Sequence, residues 1–136
     1  MIKVIVGEKG CGKTAQLVDD LNAQANSEGT NVVCIEVGQR LDRMVKYKIR
    51  LIDITEYPVT GYNELLSFIA GISAKDYDLT HVYIDSIGKI TGDHDLANLD
   101  QFLVKLAEFS DKNCFSVMIM LSANAEHLPQ GIRQYC

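Results

Sequence analysis

No stretch of apolar residues in this 136-residue chain comes near the roughly 20 consecutive positions that a membrane-spanning helix needs. The N-terminus also lacks the basic-then-greasy pattern of an export signal. These two absences predict a soluble, cytoplasmic protein. Cysteine is sparse and scattered: Cys11, Cys34, Cys114 and Cys136 form no Cys-x-x-Cys pair and have no histidine at metal-ligand spacing. That argues against zinc and against a disulfide framework, and for reduced thiols. A basic block is missing too, since 13 Lys and Arg face 18 Asp and Glu for a net charge of −5. Neutralising phosphates supplies most of the affinity for nucleic acid, so tight nucleic-acid binding by this chain alone is disfavoured.

What is present is an alternation of apolar runs and helical patterns. IKVIV (2–6) is almost continuously apolar, as suits a central parallel strand covered on both faces. From Lys13 a stripe of Leu17, Val18, Leu21 and Ala25 predicts a helix that stops at Ser27-Glu28-Gly29. NVVCIEV (31–37) is a second strand, followed by a polar connector. IRLIDI (49–54) alternates and is expected nearer a sheet edge. Thr60 is the expected N-cap of a helix carrying Leu65, Leu66, Ile69 and Ile72. HVYID (81–85), the loop SIGKITGDHD, a periodic helix through Leu96, Leu99, Phe102, Leu103 and Leu106, and FSVMIML (115–121) complete the chain. The alternation predicts one three-layer α/β domain, residues 1–136, with a mostly parallel five-stranded sheet.

Between the first strand and the first helix lies GEKGCGKT, which matches G-x-x-x-x-G-K-[ST] at every fixed position. In that pattern glycines let backbone N–H groups turn toward phosphates, the lysine reaches the outer phosphates, and the hydroxyl holds Mg²⁺. The helix beginning there adds its unpaired N–H groups and the positive end of its dipole. Gly7, Glu8, Lys9, Gly10, Cys11, Gly12, Lys13 and Thr14 are therefore the predicted phosphate-binding residues. A plain strand-to-helix turn explains the glycines but gives no reason for Lys-Thr at the helix start. Cys11 reads as a small filler, with a redox-sensitive thiol near a helix N-terminus as the minority alternative.

A nucleoside triphosphate site also needs a carboxylate at the tip of another strand to orient Mg²⁺ through water. Asp85 closes the continuous run HVYID, which marks a central strand, and is preferred over Asp53, which sits in an alternating segment.

In the order of its parts the chain resembles the RecA-like branch of P-loop ATPases: GEKGCGKT, a strand ending CIEVGQRLD, a strand and helix through VTGYNELL, then YIDS, GDHDLANLDQFLVKL, and a strand ending LSAN. The resemblance implies a P-loop NTPase fold with strand order 3-2-4-1-5 and nucleotide at the carboxyl edge. It also implies ATP and Mg²⁺ as ligands, with Thr14 and Asp85 serving the metal. RecA-like ATPases place a water-activating glutamate just past the second strand, where this chain has Gly38; Glu36 and Gln39 flank the gap. Glu36 reads equally as a base or as a solvated strand-end carboxylate, and Gln39 as a water-positioning group. Ser122 or Asn124 stands where such enzymes sense the terminal phosphate. The position after Asp85 holds Ser86, so the other usual place for a base is filled by a hydroxyl.

Of the four arginines, Arg40, Arg43, Arg50 and Arg133, three are candidates for a finger reaching a neighbouring subunit's phosphate, and an ordinary surface role is favoured for any one of them. Asp93-His94-Asp95 reads as a turn or N-cap before Leu96 rather than a metal site. The leading expectation is an ATP-binding protein with slow or partner-stimulated hydrolysis. A small-molecule kinase and a non-hydrolysing switch or adaptor are the rivals. A homo-oligomer or a protein partner completing the site stays open.

Overall fold

Five apolar runs become five strands, β1 (Ile2–Gly7), β2 (Val32–Glu36), β3 (Arg50–Asp53), β4 (His81–Ile84) and β5 (Ser116–Ser122), in a computed structural model that describes residues 1–136. Every neighbouring pair is parallel, so the chain must cross over between strands, and it does so largely through helices. The helices are α1 (Lys13–Ala25), α2 (Gly61–Lys75), α3 (Ile87–Thr91), α4 (Leu96–Lys112) and α5 (Gln130–Arg133). None is long and apolar enough to cross a membrane.

Alternate residues of each strand feed two cores. On one face Leu17, Leu21 and Ala25 of α1 pack with Val32, Cys34, Tyr83 and Met120, joined by Leu41 and Ile49 from the connector after β2. On the other, Leu65 and Ile69 of α2 and Leu99, Phe102, Leu103 and Leu106 of α4 cover Val33, Ile35, Val82, Ile84, Val117 and Ile119. Each such aliphatic side chain stabilises the fold by about 1.5–3 kcal/mol relative to exposure. The result is the predicted three-layer α/β domain with a parallel five-stranded sheet.

The strand order is β3-β2-β4-β5-β1, which corrects the expected 3-2-4-1-5 by exchanging the last two strands. β1 is an edge strand, with Lys3 exposed between buried Ile2 and Val4. Its apolar run is explained by a cover that strand patterns do not reveal. The Val4 N–H donates to the Tyr135 carbonyl at 2.8 Å, and the C-terminal segment around α5 packs buried Ile132 into the core. The open edge is thereby shielded.

Two further elements differ from expectation. Part of the loop SIGKITGDHD winds into α3, entered by Ser86 in a left-handed conformation (φ 57°) and left through Gly92. Thr60 caps α2 by position only: its N–H donates to Glu64 Oε1 at 2.9 Å, while its own side chain makes no cap bond.

The topology sets where a ligand can sit. The connections leaving β1 and β2 pass to the α1 face, and those leaving β3 and β4 pass to the α2–α4 face. A crevice must open between them at the carboxyl ends of the strands, above β5.

Candidate functional site

That crevice is a cavity of about 650 Å³, and its walls bring together residues from five separate stretches of chain. From the glycine-rich loop come Lys9, Gly10, Gly12, Lys13 and Thr14. Gly10 and Gly12 have φ of 89° and 91°, which other residues adopt only at a cost, and they turn the chain into the head of α1. Gly7 is needed for a different reason, because a Cβ there would collide with Cys11 Sγ. Lys13 Nζ donates to the carbonyls of Gly7 and Glu8, each at 2.9 Å, which holds the ammonium over the loop. Glu8 and Cys11 are exposed, and neither lines the cavity.

Asp85 follows β4 directly and is 3% exposed. Its N–H donates to the Ile35 carbonyl at 3.0 Å, so the sheet itself aims its carboxylate into the cavity. Arg40 Nη2 donates to Asp85 Oδ2 at 2.5 Å and to Thr14 Oγ1 at 3.4 Å. One cationic nitrogen thus stands between the hydroxyl and the carboxylate expected to serve Mg²⁺. Both oxygens face the same guanidinium nitrogen, and a hydroxyl with a carboxylate suits Mg²⁺, which takes few protein ligands and completes its shell with water and phosphate oxygens. No group of three His, Cys, Asp or Glu side chains converges anywhere to form a closed metal cage.

Ser122 lies opposite Gly7 in the β1–β5 register, and it lines the cavity between the loop and Asp85. Asn124 does not; its side chain accepts from the Glu126 N–H at 2.9 Å and caps a short 3-10 turn. Asp53 also serves structure, accepting from Thr55 Oγ1 at 2.7 Å and from the N–H groups of Gly38 and Thr55 at 2.9 and 3.0 Å. The Thr55 hydroxyl leads these contacts in holding its carboxyl below the usual range.

Glu36 and Gln39 lie off the cavity. Glu36 is 1% exposed and accepts the Leu41 N–H at 3.1 Å, which ties down the connector carrying Arg40. It is not a solvated strand-end group, and burial, aided by Asp42 and Asp53, pushes its carboxyl up to about 7. Gln39 is exposed. Beneath them Cys34 is fully buried, and burial together with the Asp85 and Glu36 charges raises its thiol far above reactivity.

The far wall is formed by Tyr62, Gly88, Asp93, His94, Leu96 and Leu99. The His94 ring lies against Gly88, where a Cβ would come within 2.7 Å of its Nδ1. Tyr62 stacks on Phe102 at a centroid distance of 5.0 Å, and its hydroxyl donates to the Asp93 carbonyl at 3.4 Å. Asp95, for its part, caps α4 by accepting the Ala97 N–H at 2.9 Å. Sequence reasoning did not anticipate Arg40 on Asp85 within the same chain, nor this wall. The available signal for Arg40 was the spacing Gly38, Arg40, Leu41, a turn and an apolar anchor around a long cation. Arg133 by contrast donates to the carbonyls of Ala125 and Glu126, and Arg50 pairs with Asp76 at 3.5 Å.

No family model matches the chain, and no curated protein matches it either.

Proposed function

We propose that the chain is a P-loop protein, RecA-like in the order of its parts along the chain though not in the order of its strands, that binds ATP with Mg²⁺ at the carboxyl edge of its sheet and hydrolyses it slowly or when a partner completes the site. The observation that carries this is the convergence of Lys13, Thr14 and Asp85 on one cavity large enough for a nucleotide. Lys13 would draw the outer phosphates, and the amides at the head of α1 would take phosphate oxygens. Thr14 would hold Mg²⁺ directly and Asp85 through water. A bound Mg²⁺ would supply charge neutralisation across the phosphates. Ser122, which lines the cavity, would meet the terminal phosphate.

Slow turnover is favoured because Glu36 and Gln39, the two groups considered for activating water, both lie off the cavity. The test is Mg²⁺-dependent conversion of ATP to ADP by the purified chain and by Lys13→Ala, with bound nucleotide measured in the same samples. Turnover lost in the variant supports an ATPase, and binding without turnover supports the switch or adaptor. Absence of both binding and turnover would overturn the proposal.

One observation favours the kinase as a second reading. The cavity runs on from Asp85 to a wall of Tyr62, His94, Leu96 and Leu99, where a small acceptor would sit. Screening nucleosides and nucleotides for ATP-dependent phosphorylation decides it, since an efficient acceptor would displace the ATPase reading.

A further inference from the structure

Arg40 is bound where the proposed chemistry has no use for it. Its guanidinium nitrogen lies 2.5 Å from Asp85 Oδ2 and 3.4 Å from Thr14 Oγ1, between the two side chains that would flank Mg²⁺. Mg²⁺ bonds oxygen at about 2.0–2.1 Å and brings its own shell of waters, so cation and guanidinium cannot occupy this place together.

The backbone under Arg40 is fixed on both sides. Gly38 donates its N–H to Asp53 Oδ1 at 2.9 Å, Leu41 donates its N–H to Glu36 Oε1 at 3.1 Å, and the Leu41 side chain is fully buried. The Arg40 side chain itself is 47% exposed, and its polar contacts are to Asp85 and Thr14. A guanidinium released from Asp85 on so short a tether stays at the rim of the cavity. Its planar fork of donors matches the oxygens of a phosphate.

We infer that Arg40 reads the third phosphate of a nucleoside triphosphate. It rests on Asp85 and Thr14 until Mg²⁺ takes the Thr14 oxygen and a water of its shell takes that of Asp85, and then transfers to the outermost phosphate oxygens. This inference rests on the nucleotide reading above. It makes Arg40 a specificity residue in its own chain, discriminating triphosphate from diphosphate and setting the Mg²⁺ concentration at which nucleotide enters.

The experiment is titration of the full chain with fluorescent ATP and ADP analogues across a range of Mg²⁺ concentrations, for the parent, Arg40→Ala and Arg40→Lys. Two changes are expected together in Arg40→Ala. The preference for the ATP analogue over the ADP analogue falls by about tenfold, the size of one charge-assisted hydrogen-bonded contact. The Mg²⁺ needed for half-saturation with the ADP analogue drops severalfold, since no guanidinium competes for Asp85. Arg40→Lys keeps the charge without the fork and lies between. Should the alanine variant fail to fold by circular dichroism, Arg40→Gln, which keeps most of the stem, is read instead. Any other pattern in a chain that binds nucleotide overturns the role of Arg40 and leaves the nucleotide site standing. Failure of the parent to bind either analogue overturns both.

Discussion

Glu36 is a carboxylate with almost no water around it, and that has a measurable cost. Its pKa of about 7 against an ordinary 4.5 means that the folded chain keeps a proton which the unfolded chain releases in that window. Stability therefore falls as pH rises from about 4.5 to about 7, and the deficit persists above. Glu36→Gln keeps an oxygen for the Leu41 N–H and removes the charge. The variant should exceed the parent by on the order of 2 kcal/mol in urea denaturation at about pH 8, and match it at about pH 4. Equal stability at both values would show that Glu36 ionises freely. Gly7 allows a second test, since its lack of a Cβ makes room for Cys11 Sγ. Gly7→Ala should lower stability by about 1–3 kcal/mol and weaken ATP binding. Adding Cys11→Ala should restore most of the lost stability, because the colliding sulfur is gone, and no rescue in thermal melts would place the strain elsewhere.

Among the elements, the long helices were legible because Leu17 and Leu21, Leu65 and Ile69, and Leu99 through Leu106 recur at helical spacing. The glycine-rich turn between β1 and α1 was legible because its residues are contiguous. Strand order was not, since an apolar run reports burial and says nothing of neighbours. β1 reads as central because the tail from α5 covers its edge, a contact between Val4 and Tyr135 that spans nearly the whole chain. Arg40 was hidden for the same reason, as its aim depends on tethers to Asp53 and Glu36. Truncation after Pro129 tests the cover. Losing Ile132 alone should cost about 2–5 kcal/mol, and the bared edge of β1 should promote concentration-dependent self-association. A truncated chain that stays monomeric and equally stable by ultracentrifugation and urea denaturation would show that the tail does not protect the sheet.

At the scale of the whole molecule, charge is distributed against its sum. The chain carries a net charge of −5, yet its cavity is lined by Lys9, Lys13, Arg40 and Lys89 against Asp85 and Asp93. An anion approaching this edge meets local attraction within a repelling surface. ATP affinity should therefore weaken severalfold as salt rises from about 0.05 to about 0.5 M, and the double variant Lys9→Gln, Lys89→Gln should flatten that dependence. A salt-independent affinity in the parent would argue that these side chains do not act on the ligand. The proposed function requires a nucleotide held by the loop, and calorimetric titration of the chain with ATP in excess Mg²⁺, beside the same titration of Lys13→Ala, tests that most directly. The predicted result is one saturable site per chain in the parent, weakened on the order of 100-fold in the variant by loss of its charge-assisted phosphate contacts. Equal affinity in the two proteins, or no binding by the parent, would contradict it.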